Sequence, residues 1–88
     1  MTENQPEEGK LIGQVSHYYS NLGVAVLDLT DVLKVGETIR IVGGEVDLTQ
    51  PVDSMEFEHN KIQEAKKGDS IGLKVTQKVR EGYKVYKN

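Results

Sequence analysis

The sequence predicts an all-β domain: a small closed six- or seven-stranded antiparallel barrel with one short helical turn. Three observations point there. Short runs rich in Val, Ile, Leu and Tyr alternate with turn residues along nearly the whole chain, the texture of strands rather than helices. A glycine recurs at the start of several runs, with a β-branched core candidate three positions later. The chain has 88 residues, of which 36% are apolar. That is enough for one thin core, and closing the sheet on itself would remove exposed strand edges.

Met1 to Gly9 is polar and acidic, with Pro6 and three glutamates, and reads as a disordered tail. The barrel is expected over residues 10–88. Lys10 to Tyr19 is the first strand. Gly13 breaks its alternation, so a bulge or bend is expected there. Ser20-Asn21-Leu22-Gly23 is a turn, with Asn21 and Gly23 suited to positive φ. In Gly23 to Leu29, Val24 and Val26 point one way and Ala25 and Leu27 the other. Both faces are apolar, as in a central strand covered on both sides. Thr30 to Val35 connects to Gly36–Val42, where Ile39 and Ile41 face inward. Gly43-Gly44 is a tight turn. Glu45 to Thr49 is a short strand or loop ended by Pro51, which cannot donate to a ladder. Val52 to His59 places Met55 and Phe57 inward and Glu56 and Glu58 outward. Lys61 to Lys67 (KIQEAKK) is the one helix-like piece, stopped by Gly68. Gly68 to Gln77 carries Ile71, Leu73 and Val75 on one face. Val79 to Gly82 turns the chain, and Tyr83 to Lys87 closes it.

The recurring punctuation is Lys34-Val-Gly36-Glu-Thr-Ile39, Lys66-Lys-Gly68-Asp-Ser-Ile71 and Arg80-Glu-Gly82-Tyr-Lys-Val85. Each reads as a glycine turn launching a strand. The unequal spacings exclude a solenoid repeat.

Several function classes find no support. There is no cysteine, hence no disulfide framework and no thiolate metal site. That usage, the lack of a signal-peptide pattern and the lack of a long apolar run lead us to expect a cytoplasmic location and no membrane partner. His17 and His59 are the only histidines, too few for a structural zinc site. No cofactor is expected. Ser16, Ser54, Ser70 and Asp28 lie in no nucleophile-elbow pattern. Glu56 and Glu58 read as a solvated face rather than an acid/base pair. No catalytic residue is expected.

Charge is divided unevenly. Residues 1–60 hold 3 basic and 11 acidic side chains, and residues 61–88 hold 8 basic and 3 acidic ones, within a net charge of −3. Lys74, Lys78, Arg80 and Lys84 fall in the last hairpin, where they could neutralise phosphates. Tyr18 and Tyr19 flank the first turn, where one of them could stack on a base. The acidic set is Glu37, Glu45, Asp47, Asp53, Glu56 and Glu58.

The launch motifs also carry a resemblance. Leu33-Lys-Val-Gly-Glu-Thr-Ile-Arg-Ile-Val-Gly43 resembles the K-x-G-D/E-x-I/V-x-I/V signature of domain 2 in elongation factor Tu and initiation factor two. Val52-Asp-Ser-Met-Glu-Phe57 is similar to their V-x-S-I/M-E/Q strand, and Glu64 to Leu73 to their E-A-x-x-G-D/E-x-I/V-G-I/L segment. Arg80-Glu-Gly82-Tyr-Lys-Val85 resembles the closing strand. Together the pieces cover nearly everything after the tail. Small stand-alone elongation-factor-like proteins resemble the chain most, and a similar barrel is appended to some peptidase-like enzymes associated with RNA hydroxylation.

The resemblance implies a non-catalytic module that binds tRNA or rRNA, through Tyr18, Tyr19, Ser70, Lys74, Lys78, Arg80 and Lys84. The alternative is a protein-interaction subunit docking on a larger translation or RNA-modification enzyme. GTP binding is excluded, because no phosphate loop exists: Gly9-Lys10 is followed by Leu11, and Asn4 stands where the loop's first glycine would be. Val15 and Ser70 stand where the family's aminoacyl pocket has Phe and Asn, so the resemblance does not extend to the residues of that pocket.

Overall fold

The computed structural model describes residues 9–87; the tail expected over Met1 to Gly9 lies, but for Gly9, outside them. Ten strands follow one another: β1 (Lys10–Tyr19), β2 (Val24–Leu29), β3 (Leu33–Lys34), β4 (Thr38–Gly43), β5 (Val46–Pro51), β6 (Met55–Phe57), β7 (Asn60–Ile62), β8 (Glu64–Ala65), β9 (Ser70–Lys74) and β10 (Lys84–Lys87). Eight form one sheet in the order β5-β4-β10-β1-β2-β9-β6-β7, and β3 and β8 form a separate ribbon. Every pairing is antiparallel.

The three glycine launches explain much of this. Gly36, Gly68 and Gly82 have φ of 99°, 94° and 91°, a region that L side chains avoid. Three positions on, Ile39, Ile71 and Val85 are fully buried. They join Ile12, Leu27, Leu33, Met55 and Leu73 in one continuous apolar core. The irregularity expected at Gly13 is present. The register of β1 shifts against β10 between Leu11 and Gly13, and again against β2 between Val15 and His17. A Cβ on Gly13 would run into the Asp28 carbonyl of β2, so the strands can approach this closely only with glycine there.

Two expectations need correction. The first is barrel closure. Among the described residues no ladder joins β5 to β7, so the sheet has two ends rather than a closed ring. β5 is instead tied to the end of β9. The buried Gln50 of β5 donates from Nε2 to the Lys74 carbonyl (2.8 Å) and accepts at Oε1 from the Thr76 amide (3.0 Å). At the other end, β7 runs on into β8, which pairs with β3. The Gly36 amide donates to Val52 O and the Val52 amide to Glu37 O, fastening the exit of β5 to the β3–β4 turn.

The second correction is the helical turn. Residues 61–67 form no helix: Asn60–Ile62 pairs with β6 and Glu64–Ala65 with β3. Two turns are too few to nucleate a helix on propensity alone. Ala65, paired with Leu33 on this extended segment, is buried, and the Lys66 amide is held by the Asp69 carboxylate. No helix among the described residues is long and apolar enough to cross a membrane.

Candidate interaction trough

β2 lies between β1 and β9, and β9 between β2 and β6, so this part of the sheet has a clear inner and outer face. Ala25, Leu27 and Leu29 of β2 point into the core. The alternate residues Val24, Val26 and Asp28 point outward and are only partly covered. The register aligns Tyr19, Val24 and Lys74 in one outer row, and His17, Val26, Gly72, Glu56 and Lys61 in the next. The sequence led us to expect cover on both sides of β2. The outer side of the described chain carries none, and a trough runs along it.

The trough is a hollow of about 500 Å³ bounded by Tyr19, Leu22, Val24, Val26, Glu56, Glu58, His59, Ser70, Ile71 and Gly72. It continues into a smaller hollow of about 310 Å³, which adds Ser54, Leu73 and Lys74. Three large apolar side chains among the described residues are exposed: Leu11 (47%), Tyr19 (49%) and Leu22 (62%). Two of the three wall this trough. Its middle exists because residue 72 is glycine. A Cβ there would meet only ordinary neighbours, Val24 Cγ1 at 3.5 Å and Glu56 O at 4.0 Å. Neither close packing nor a positive φ therefore requires a glycine at this position.

The far wall is a two-residue hairpin. Phe57 pairs with Asn60, and between them Glu58 and His59 have φ of 53° and 71°. Two-residue hairpins favour such left-handed conformations, but with Asn and Gly rather than Glu and His. Each costs about 1–2 kcal/mol in a residue that carries an ordinary side chain. Neither Glu56 nor Glu58 makes an ion pair among the described residues. Lys61 stands directly across from Glu56 without forming one. The Ser70 hydroxyl donates to Asp28 Oδ1 (2.6 Å) beside the trough.

The residues expected to hold RNA lie on several strands and connections and border more than one hollow, Tyr18 and Tyr19 sharing one at the first turn. Tyr19 and Ser70 border the trough, and Lys74 its smaller extension. Tyr18 packs partly against the core. With Arg80 it borders a different hollow, shared with His17 and Glu81. His17 Nδ1 lies 3.3 Å from Glu81 Oε2, and its ring meets Tyr19 edge-on. Lys84 stands across from Gln14 and Val42 on β10, and Lys78 is exposed on the connection after β9. Val15, aligned with an aminoacyl-pocket position, is in the core.

The acidic set is also divided. Glu37 is engaged by the Lys34 amide and Lys87, and Asp47 by Arg40. The Arg40 guanidinium holds the Asp47 carboxyl below its ordinary value, and Lys10 followed by the Val32 amide does the same for Asp31. Among the described residues no group of three or more His, Cys, Asp or Glu could hold a metal ion. What sequence reasoning missed was the trough. Its signal was present in β2, apolar on both faces beside a strand carrying Gly72.

Comparison with known proteins separates fold from family. No protein-family model matches the chain. Over 76 residues it is 40% identical to an uncharacterised protease of Methanocaldococcus jannaschii, covering 85% of this chain and 19% of that protein. Over 78 residues it is 32% identical to a collagenase of Porphyromonas gingivalis, covering 86% of this chain and 22% of the relative. The chain thus spans about a fifth of the length of the curated relatives it matches.

Two crystal structures of the C-terminal domain of a Geobacillus thermoleovorans protein, classed with the U32 peptidases, share the fold. Both superpose with a TM-score of 0.83 at 19% identity. One covers 99% of each chain; the other, a selenomethionine variant, covers 88% of this chain and 98% of that one.

These matches overturn the translation-factor assignment. The relatives are named as a protease and a collagenase, and the structural neighbours are C-terminal domains of a protein classed with the U32 peptidases. Three of the four motifs behind the resemblance are glycine launches. They report how strands begin in a fold of this shape, and such turn chemistry is indifferent to what the surface binds.

Proposed function

We propose that this chain is an accessory β domain that packs on a larger peptidase-type body and has no catalytic groups of its own. The carrying observation is one of proportion. The chain matches about a fifth of a protease at 40% identity. Its fold is that of a domain crystallised apart from the rest of such a protein. The exposed Tyr19, Leu22, Val24 and Val26 fit this role, because a contiguous apolar hollow on a small soluble domain marks an interaction site. A stable interface needs about 1,200–2,000 Å² in total, so the trough would serve as the central anchor within a wider contact. We read the wall around the core as a barrel fastened by Gln50 and the β3–β8 ribbon in place of a closed ladder. A frame of that kind suits a domain that presents a surface.

The test is reconstitution. The tagged chain is used to capture partners from nuclease-treated cells of its source, and the complex is rebuilt from purified components. A U32-type polypeptide that forms a one-to-one complex with the chain is the expected result. A purified peptidase body showing no association at about 100 µM, a concentration that would reveal even the weak end of specific contacts, would refute the reading.

A further inference from the structure

We infer that the trough over β2, β9 and β6 seats a polypeptide segment carrying an apolar side chain and, beside it, a lysine or arginine. The inference rests on the accessory-domain reading and takes the segment to belong to the larger body.

Three features converge on the hollow, and each is unfavourable for the isolated domain. Leu22 and Tyr19 expose apolar surface at its near wall. Gly72 leaves a side-chain-sized space in the middle of an internal strand, where glycine weakens a sheet, although a Cβ would fit there. Glu58 and His59 hold positive φ at the far wall. Strained non-glycine backbone persists where the surrounding structure imposes it, and it clusters at binding sites.

Charge selects the occupant. The lining of the main hollow contains Glu56 and Glu58 and no lysine or arginine. Both carboxylates lack an ion pair among the described residues; Lys74, across from Val24, lines only the smaller extension, and Lys61 stands across from Glu56 without pairing with it. An apolar side chain over Val24, Val26 and Gly72 would bury their exposed surface, and a neighbouring cation would meet Glu56 and Glu58. An acidic segment would instead set like charges together.

The probes are a fluorescent octapeptide of alternating lysine and leucine and its twin with glutamate for lysine, titrated into the full chain by anisotropy. The lysine peptide is expected to bind saturably and more weakly as salt rises, and the glutamate twin not to bind. Gly72→Leu fills the hollow from the outer face without touching the core. It should weaken the lysine peptide at least tenfold, as should Glu56→Gln combined with Glu58→Gln, with thermal unfolding checked for each variant. Equal binding of the two peptides, no binding of either, or indifference to Gly72→Leu would overturn the inference. So would a concentration-dependent dimer of the chain that Gly72→Leu abolishes, since the occupant would then be a second copy.

Against the purified peptidase body, Gly72→Leu should again weaken association tenfold. Unchanged association would refute the trough as the docking seat and leave the accessory role standing. Binding of the lysine peptide without any binding of the body would do the reverse.

Discussion

Replacing Glu58-His59 by Asn-Gly should make the domain more stable and a poorer binder. The turn between β6 and β7 has two central residues, with φ of 53° and 71°. A left-handed residue with a Cβ costs about 1–2 kcal/mol relative to one that adopts it freely. Asn relieves part of that at the first position and Gly nearly all of it at the second. Glycine's extra freedom in the unfolded chain takes back about 0.5–1 kcal/mol. The net expectation is a gain of about 1–2 kcal/mol. For a domain of this size each kcal/mol moves Tm by about 4–8 °C, so a rise of about 4–16 °C is expected. Urea unfolding should show a higher midpoint at unchanged m, since no additional surface is buried. The same variant removes one of the two trough carboxylates and should weaken the lysine–leucine peptide. A midpoint that stays or falls would refute the account of strain. A higher midpoint with undiminished affinity would show that the strained turn is not kept for the trough.

Gln50→Leu should destabilise by about 2–4 kcal/mol, because it leaves both the Lys74 carbonyl and the Thr76 amide without their partner; hydrogen exchange at the Thr76 amide should accelerate far more than at Leu27, and equal protection would contradict a bridging role. Gly43→Ala should cost about 1–3 kcal/mol, since its Cβ would enter the Tyr83 ring packed over the β4–β5 turn; Gly43→Ala combined with Tyr83→Leu, read by the same unfolding curves, should recover part of the loss. The Asp31 and Asp47 carboxyls are both held below the ordinary value of 3.8. A depressed folded-state pKa contributes stability that is present above the unfolded value and lost as pH falls through the folded one. Tm should therefore be insensitive to these groups from pH 8 to pH 5 and should decline below about pH 4, with Asp31→Asn plus Asp47→Asn blunting that decline. An acid decline identical in wild type and double variant would contradict the assignment.

The launch glycines made most of the fold legible. Gly36, Gly68 and Gly82 can each be located in the sequence from the β-branched residue three positions on, and all three adopt the positive φ that this spacing implies. The alternation in β4 likewise identified Ile39 and Ile41 as core. What resisted reading was pairing at a distance. KIQEAKK has good helix formers, and nothing local reveals that β6 and β3 offer it partners. The fastening of the sheet was hidden for a related reason. Gln50 looks like an ordinary polar residue before Pro51 until its amide is seen between Lys74 and Thr76. The candidate site was half legible: β2 announced two apolar faces, but the sequence does not say which of them the rest of the chain leaves open.

That open face separates two kinds of information that the sequence holds together. Residues that stabilise the fold report the fold, and domains that share a fold can do different work. Residues that act against the stability of the isolated domain are more informative about its use. Among the described residues, Gly72, Leu22 and the Glu58-His59 pair are unfavourable to the lone chain for three separate physical reasons: a missing side chain, exposed apolar surface and backbone strain. They are distant in sequence, yet the β2-β9-β6 register brings them around one hollow. A partner that covers Leu22, fills the space over Gly72 and neutralises Glu58 would turn at least two of these costs into binding energy. Independent costs that meet at one hollow are what a surface built for a partner would display, whereas costs left by drift would be scattered across the sheet.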